Sequence, residues 1–140
     1  MAKKKIEIDS NFVLNGKFNI KVPKDLNSAF EKELKRGELS LSIEIHYNDL
    51  IGMQNIYADD ITNGGLVFEK IDNEFYKVEV TGVVNKKLDS EFDKELIEFL
   101  KLNKSHVIVA NYIGDNDSNC YYIDGDEDKT IVVGTIDISK

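Results

Sequence analysis

The feature that most restricts how this chain folds is a near-repetition inside it. Leu26-Asn27-Ser28-Ala29-Phe30-Glu31-Lys32-Glu33-Leu34 and Leu88-Asp89-Ser90-Glu91-Phe92-Asp93-Lys94-Glu95-Leu96 are identical at six of nine positions, and two of the other three are Asn/Asp and Glu/Asp exchanges. The flanks agree as well. Phe18-x-Ile20-x-Val22 precedes one copy as Tyr76-x-Val78-x-Val80 precedes the other, and Asn55-x-Tyr57 and Ile71-Asp72 have counterparts in Asn119-x-Tyr121 and Ile136-Asp137. Two units, 17–73 and 75–138, are therefore expected, each a strand, a helix and two or three strands, with strand 6–14 added in front. A unit of about 60 residues cannot cover its own apolar face, so the two share one core in a single domain of residues 1–140. The alternative is convergence, because Leu, Phe, Lys and Glu are common in any amphipathic helix.

Periodicity places the elements. Ile6-x-Ile8 running on to Phe12-x-Leu14, and Phe18-x-Ile20-x-Val22, alternate on either side of Asn15-Gly16. That pair suits the positive φ angles of a type I′ turn and predicts a hairpin. Leu26, Phe30 and Leu34 recur at helical spacing from Pro23 to Gly37, predicting a helix over about 25–36. Leu39-x-Leu41-x-Ile43-x-Ile45-x-Tyr47 reads as a strand buried on one face. Gly65–Ile71 and Phe75–Val84 read as strands joined at Asp72-Asn73. A second helix over Ser90–Leu102 carries acids at its start and Lys101 and Lys104 at its end, as the helix dipole favours. Val107–Ala110, Tyr121–Ile123 and Ile131–Ile138 are the remaining strand candidates. The fold class is α+β: mainly antiparallel sheets, two helices, about eight strands, and an internal duplication of a β-α-β-β(-β) unit with pseudo-twofold symmetry. Phe30, Leu34, Phe92, Leu96 and Phe99 are the helical side chains expected in the core.

Charge narrows the function. Eighteen Lys and Arg against 26 Asp and Glu leave a net charge of −8, which argues against a general nucleic-acid or anionic-membrane binder. No apolar run reaches the ~18 residues of a membrane span. Met1-Ala2-Lys3-Lys4-Lys5 leads into Ile6-Glu7-Ile8-Asp9 rather than a signal-type stretch, so a cytoplasmic protein is expected. Cys120 is the only cysteine and allows no internal disulfide. The charge is uneven, +4 over residues 1–36 and −12 over 37–140, and the acidity peaks at Asp115, Asp117, Asp124, Asp126, Glu127 and Asp128. With Gly114, Asn116, Ser118 and Gly125 among them, these acids read as a solvated loop or hairpin.

Two tandem units of strand, helix and three strands resemble, in element order over residues 17–138, the duplicated domain of DNA sliding clamps. That resemblance implies helices on a DNA-facing side and a ring built of several such domains. A DNA-lining surface should be clearly positive, whereas the helical segments here are nearly neutral, so direct DNA binding is expected only from an assembled ring.

No cofactor and no catalytic set is expected. Asp115, Asp117, Asn119 and Asp126 fall at positions 1, 3, 5 and 12 of a calcium-loop register, but Cys120 stands where the turn needs glycine and the flanks read as strands. Cys120 lies among carboxylates that disfavour a thiolate, and neither His46 nor His106 is placed beside it. Asp59-Asp60 has no signal of a pocket, and Asn63-Gly64-Gly65 lacks the lysine and helix of a phosphate loop.

Tyrosines among acids remain the functional signal. Asp115, Asp117, Tyr121, Tyr122, Asp124, Asp126 and Asp128 are expected to form a surface that binds a basic protein, such as a nucleic-acid-binding enzyme, in the manner of an inhibitor, immunity protein or adaptor. A clamp-like processivity subunit is the second expectation, and a hydrolase with an unrecognised carboxylate site the third.

Overall fold

The computed structural model describes residues 7–47, 50–89, 94–102 and 105–138. They form an α+β fold dominated by one antiparallel sheet. In chain order the elements are β1 (Glu7–Lys21), α1 (Asn27–Arg36), β2 (Ser40–Tyr47), β3 (Leu50–Tyr57), β4 (Thr62–Lys70), β5 (Phe75–Asp89), α2 (Lys94–Leu102), β6 (Ser105–Gly114), β7 (Cys120–Tyr122) and β8 (Ile131–Ile138), with 3-10 turns at Lys24–Leu26 and Ala58–Asp60. Strand order across the sheet is β3-β2-β6-β8-β1-β5-β4, and β7 pairs with β6 off this path.

The expected hairpin at Asn15-Gly16 does not form. β1 runs straight through it and pairs with β5 at every position from Glu7↔Asp89 to Lys21↔Phe75, with Asn15 opposite Thr81 and Gly16 opposite Val80. Tertiary pairing over fifteen residues outweighs the local turn preference of one dipeptide. Gly16 serves a different need: a Cβ there would lie 2.7 Å from Val133 Cγ1, so the absent side chain admits β8. Phe12, Leu14, Phe18 and Ile20 are buried on one face, while Val13, Asn15 and Lys17 are exposed on the other.

β5 is longer than its apolar run suggests and reaches Asp89. Leu88 and Asp89, which open the second copy of the sequence match, therefore lie on a strand, while their counterparts Leu26 and Asn27 end a 3-10 turn and start α1. α1 ends where expected, on Gly37 at φ 69°, whose N–H donates to Leu34 O at 3.2 Å while Glu38 N–H donates to Glu33 O at 3.0 Å. Phe30 is fully buried and Leu34 partly so. Phe92 and the side chains of Leu96 and Phe99 lie outside the described residues; α2 contributes Ile97 to the core.

The β4–β5 connection is the expected turn, with Asp72 Oδ1 accepting the N–H groups of Glu74 (2.8 Å) and Phe75 (2.9 Å). Asn63-Gly64 forms a bulge between Thr62 and Gly65, with Asn63 at φ 57°. On β2, Leu41, Ile43 and Ile45 are buried as expected, but Ser40 and Ser42 on the opposite face are buried too.

Inward residues of all these strands belong to one core, into which α1 packs Phe30. The Phe30 ring meets Phe68 of β4, Tyr76 of β5 and Tyr121 of β7, with centroids 5.8, 4.5 and 4.9 Å away. At the rim, Tyr76 Oη donates to Glu31 Oε1 at 3.0 Å and Lys70 Nζ lies 3.5 Å from the same oxygen. Burial, then the bond to Glu31, pushes the Tyr76 hydroxyl up to about 12. Helix and hairpin are thus clamped by one ring cluster and one polar tie. No helix among the described residues is long and apolar enough to cross a membrane.

Candidate functional site

The acidic run does not form one loop. β7 divides it into residues 115–119, which turn from β6 into β7, and residues 123–130, which lead on to β8. β7 itself is held by Tyr112↔Tyr122, Ile113↔Tyr121 and Gly114↔Cys120.

In the first loop Asp115 is a scaffold. Its Oδ1 accepts the N–H groups of Asp117 and Asn119, both at 2.9 Å, and its Oδ2 accepts Asn119 Nδ2 at 3.1 Å and Tyr121 Oη at 2.9 Å. Burial alone would push this carboxyl up, but those bonds prevail and hold it below the usual aspartate range. Tyr121 is correspondingly absent from the surface. Its ring is fully buried against Phe30, and burial together with the Asp115 bond drives its hydroxyl far above the ordinary tyrosine value. The expectation that Tyr121 supplies exposed contact area is corrected here, because the ring completes the core and the hydroxyl orders the loop. Asp117 is exposed at the tip.

Against this loop stands α1. Between them is a cavity of ≈ 430 Å³ lined by Ser28, Lys32, Glu33, Arg36, Glu38 and Asp117, with Ala29 and Asn116. Glu33 is 4% exposed, and its Oε2 is buried with no hydrogen-bond partner. A hydrogen bond shared with the Glu38 carboxyl, then burial, then the charges of Glu38, Asp117 and Asp115 raise its proton affinity above that of an ordinary glutamate. The sequence reading missed Glu33, although a signal exists: it lies three residues after Phe30, on the inward stripe of α1, where a charged residue is unusual.

The second loop is built differently. Asp124 (φ 52°) and Gly125 turn the chain, Asp124 N–H donates to Asn19 O at 2.9 Å, and Asp126 Oδ1 accepts Asp128 N–H at 3.0 Å. Asp124, Asp126, Glu127 and Asp128 are all exposed, and Lys129 pairs with Asp124. A shallower depression of ≈ 300 Å³ beside them is lined by Lys17, Lys77, Lys129 and Asp124, among others. Tyr122 is half-buried, its ring edge-on to Tyr112 with centroids 5.9 Å apart.

The calcium-loop register is not closed, because β7 separates Asp115 from Asp126 and both oxygens of Asp115 already accept hydrogen bonds. Among the described residues, no three His, Cys, Asp or Glu side chains are gathered so as to hold a metal ion. Cys120 is a partly buried free thiol. Asp60 caps its 3-10 turn by accepting Tyr57 N–H at 3.1 Å, and Asp59 beside it is exposed. The side chains of His46 and His106 lie outside the described residues.

No family model, curated protein or solved structure matches this chain.

Proposed function

We propose that this protein is a non-enzymatic binding module that engages a basic macromolecular surface through the acidic loops flanking β7. The observation that carries the reading is electrostatic. Asp117, Asp124, Asp126, Glu127 and Asp128 are exposed within twelve residues of chain, and Lys129 is the only cation in residues 115–130. Like charges held together repel, and a basic partner relieves that repulsion on binding while the field speeds encounter. Asp115 and Tyr121 form the frame beneath this surface, and half-buried Tyr122 is its aromatic contact. A protein with a cationic groove, such as a nucleic-acid-binding enzyme, fits these requirements. The test is capture of partners from the host at low salt, followed by titration of an identified partner against the chain in which Asp124, Asp126, Glu127 and Asp128 are all changed to Asn or Gln. Binding should be lost in that variant and should weaken with salt in the parent chain; equal affinity in both chains would overturn the proposal.

The second part of the reading is that residues 17–73 and 75–138, the first unit extended back to Glu7 so as to take in all of β1, descend from one duplicated unit. Its support is the pairing pattern. Exchanging β1 with β5, β2 with β6, β3 with β7 and β4 with β8 carries the β1–β5 and β2–β6 pairings onto themselves, β2–β3 onto β6–β7, and β4–β5 onto β1–β8. Only β6–β8 has no counterpart. A separately expressed 75–140 fragment should then dimerise, β5 on β5 and β6 on β6; an unfolded monomer at high concentration would count against duplication. The clamp-like reading rests on element order alone, and a defined multimer by sedimentation would bring it forward.

A further inference from the structure

β4 is an edge of the sheet, paired with β5 alone. Ile71 N–H donates to Phe75 O on one side of β5, and Val22 N–H donates to Glu74 O on the other. With the strand registers, these two bonds fix the alternation: along 75–81 the odd-numbered residues turn their backbone to β4 and the even-numbered ones to β1. Gly65, Val67 and Glu69 therefore direct their N–H and C=O groups to β5. Those of Leu66, Phe68 and Lys70 point out of the sheet, where they meet no backbone partner among the described residues. α1 touches this strand through side chains, the Phe30 ring on Phe68 and Glu31 on Lys70. Sheet edges are normally protected by proline, by charge or by a bulge. The bulge at Asn63-Gly64 guards the start of β4, but Gly65-Leu66-Val67-Phe68 holds neither charge nor proline, and Val67 is 60% exposed.

Charge decides what can pair there. Asp59, Asp60, Glu69, Asp72 and Glu74 are exposed about the two ends of β4, and Lys70, tied to Glu31, is the one base in residues 59–74. Antiparallel pairing with a second copy would set the Asp59–Asp60 end of one chain beside the Asp72–Glu74 end of the other, acid against acid. A basic strand meets the opposite charge at both ends. We infer that the open edge of β4 takes up an extended peptide segment of alternating apolar and basic residues as an added antiparallel strand. Its apolar residues stand opposite Leu66 and Phe68, which pack against the core, and exchange N–H···O bonds with them. Its basic residues share the outer face with Val67 and Glu69, which are exposed. This edge is separate from the acidic surface around 124–128, and its failure would leave the macromolecule-binding proposal standing.

The experiment is an NMR titration of the full chain at low salt with acetyl-Val-Lys-Val-Lys-Val-amide, its glutamate counterpart, and two forms of the lysine peptide N-methylated at the valines or at the lysines. Saturable shifts are expected at the amides of Leu66, Val67 and Phe68 with the lysine peptide, and roughly tenfold weaker binding of the glutamate peptide. Methylating the valines should abolish binding, because their N–H groups face β4; methylating the lysines, whose N–H groups face solvent, should leave it. Glu69→Lys, at an exposed position where folding is not at stake, should weaken the lysine peptide roughly threefold or more. Absence of saturation, shifts confined to residues 124–128, equal binding of the glutamate or the valine-methylated peptide, or unchanged affinity in Glu69→Lys would each overturn the inference.

Discussion

In the loop that enters β7, Asp115 accepts four hydrogen bonds and the chain folds around it; in the loop that leaves β7, four acids are exposed and, among the described residues, only Asp124 meets a cation. Both loops are acidic and polar, Asp115 and Asp117 standing with Asn116, Ser118 and Asn119 in the first, and Asp124, Asp126, Glu127 and Asp128 with Gly125, Lys129 and Thr130 in the second. What separates them is the number of donors each carboxylate can reach, which depends on a buried tyrosine and on a helix distant in sequence. The first loop is therefore part of the core's margin, and the second is a surface that can change without cost to the fold. A further contrast lies within the first region, where Asp115 is held ionised by donors and Glu33, across the cavity, is held towards its protonated form by neighbouring acids.

Removing the ring that joins α1 to the first loop should have the largest effect. Phe30→Ala deletes a fully buried side chain with three aromatic neighbours and should cost about 3–5 kcal/mol in chemical denaturation. A loss under about 1 kcal/mol would mean that α1 is not clamped to β7, and the contrast between the loops would dissolve.

Asp115→Asn should cost about 1–2 kcal/mol at neutral pH, since an amide cannot accept all four bonds. The pH dependence has a definite sign. The folded-state value of Asp115 lies below the ordinary one, so its contribution is fully present above pH ~4 and fades as pH falls through the depressed value. Denaturation curves from pH 5 downward should therefore converge for parent and variant; curves that stay parallel would show that the carboxylate charge is irrelevant to the loop.

Glu33→Gln should act in the opposite direction. A carboxyl whose folded value is raised binds its proton more tightly folded than unfolded, so stability declines as pH rises from the ordinary glutamate value through the raised one. The variant should be at least as stable as the parent at neutral pH and should lack that decline. A variant destabilised at pH 7 would place Glu33 with Asp115, as an ionised and satisfied group.

The smallest stability effect per residue is expected for the combined change of Asp124, Asp126, Glu127 and Asp128 to Asn or Gln. These side chains are exposed, and the melting free energy should move by no more than about 0.5 kcal/mol per position. A cooperative loss of several kcal/mol would make the second loop as structural as the first.

Much of the fold was legible. Period-2 patterning located most strands, and Gly37 and Asp72-Asn73 marked ends that hold in three dimensions. The Asn15-Gly16 hairpin was misread despite a contrary signal in the same residues. In a two-residue hairpin Leu14 faces Lys17 and Phe12 faces Asn19, which puts Phe12 and Leu14 on the face opposite Phe18 and Ile20. The apolar positions instead keep even numbers from Phe12 to Val22, as one uninterrupted strand requires. β3 was missed for lack of such a signal, since apolar residues 50, 51, 53, 56 and 57 do not alternate and the strand pairs only with β2. The far end of β5, Asn85-Lys86-Lys87, was hidden by its polarity; it is a strand because Asn11, Ser10 and Asp9 lie opposite. The candidate cavity could not be read at all, since it joins residues 28–38 to 116–117 across the fold.

The pairing of β1 also fixes an order of events during synthesis. Its neighbours on the two sides are β5, which begins at Phe75, and β8, which begins at Ile131. The earliest of the described strands to leave the ribosome thus has no strand to join until more than fifty further residues have followed it, and its second side stays open until β8 arrives. Contacts this distant make folding slow and leave the Phe12–Ile20 face available to chaperones or to other nascent chains in the interval. Among the described strands, the first made is completed by the last.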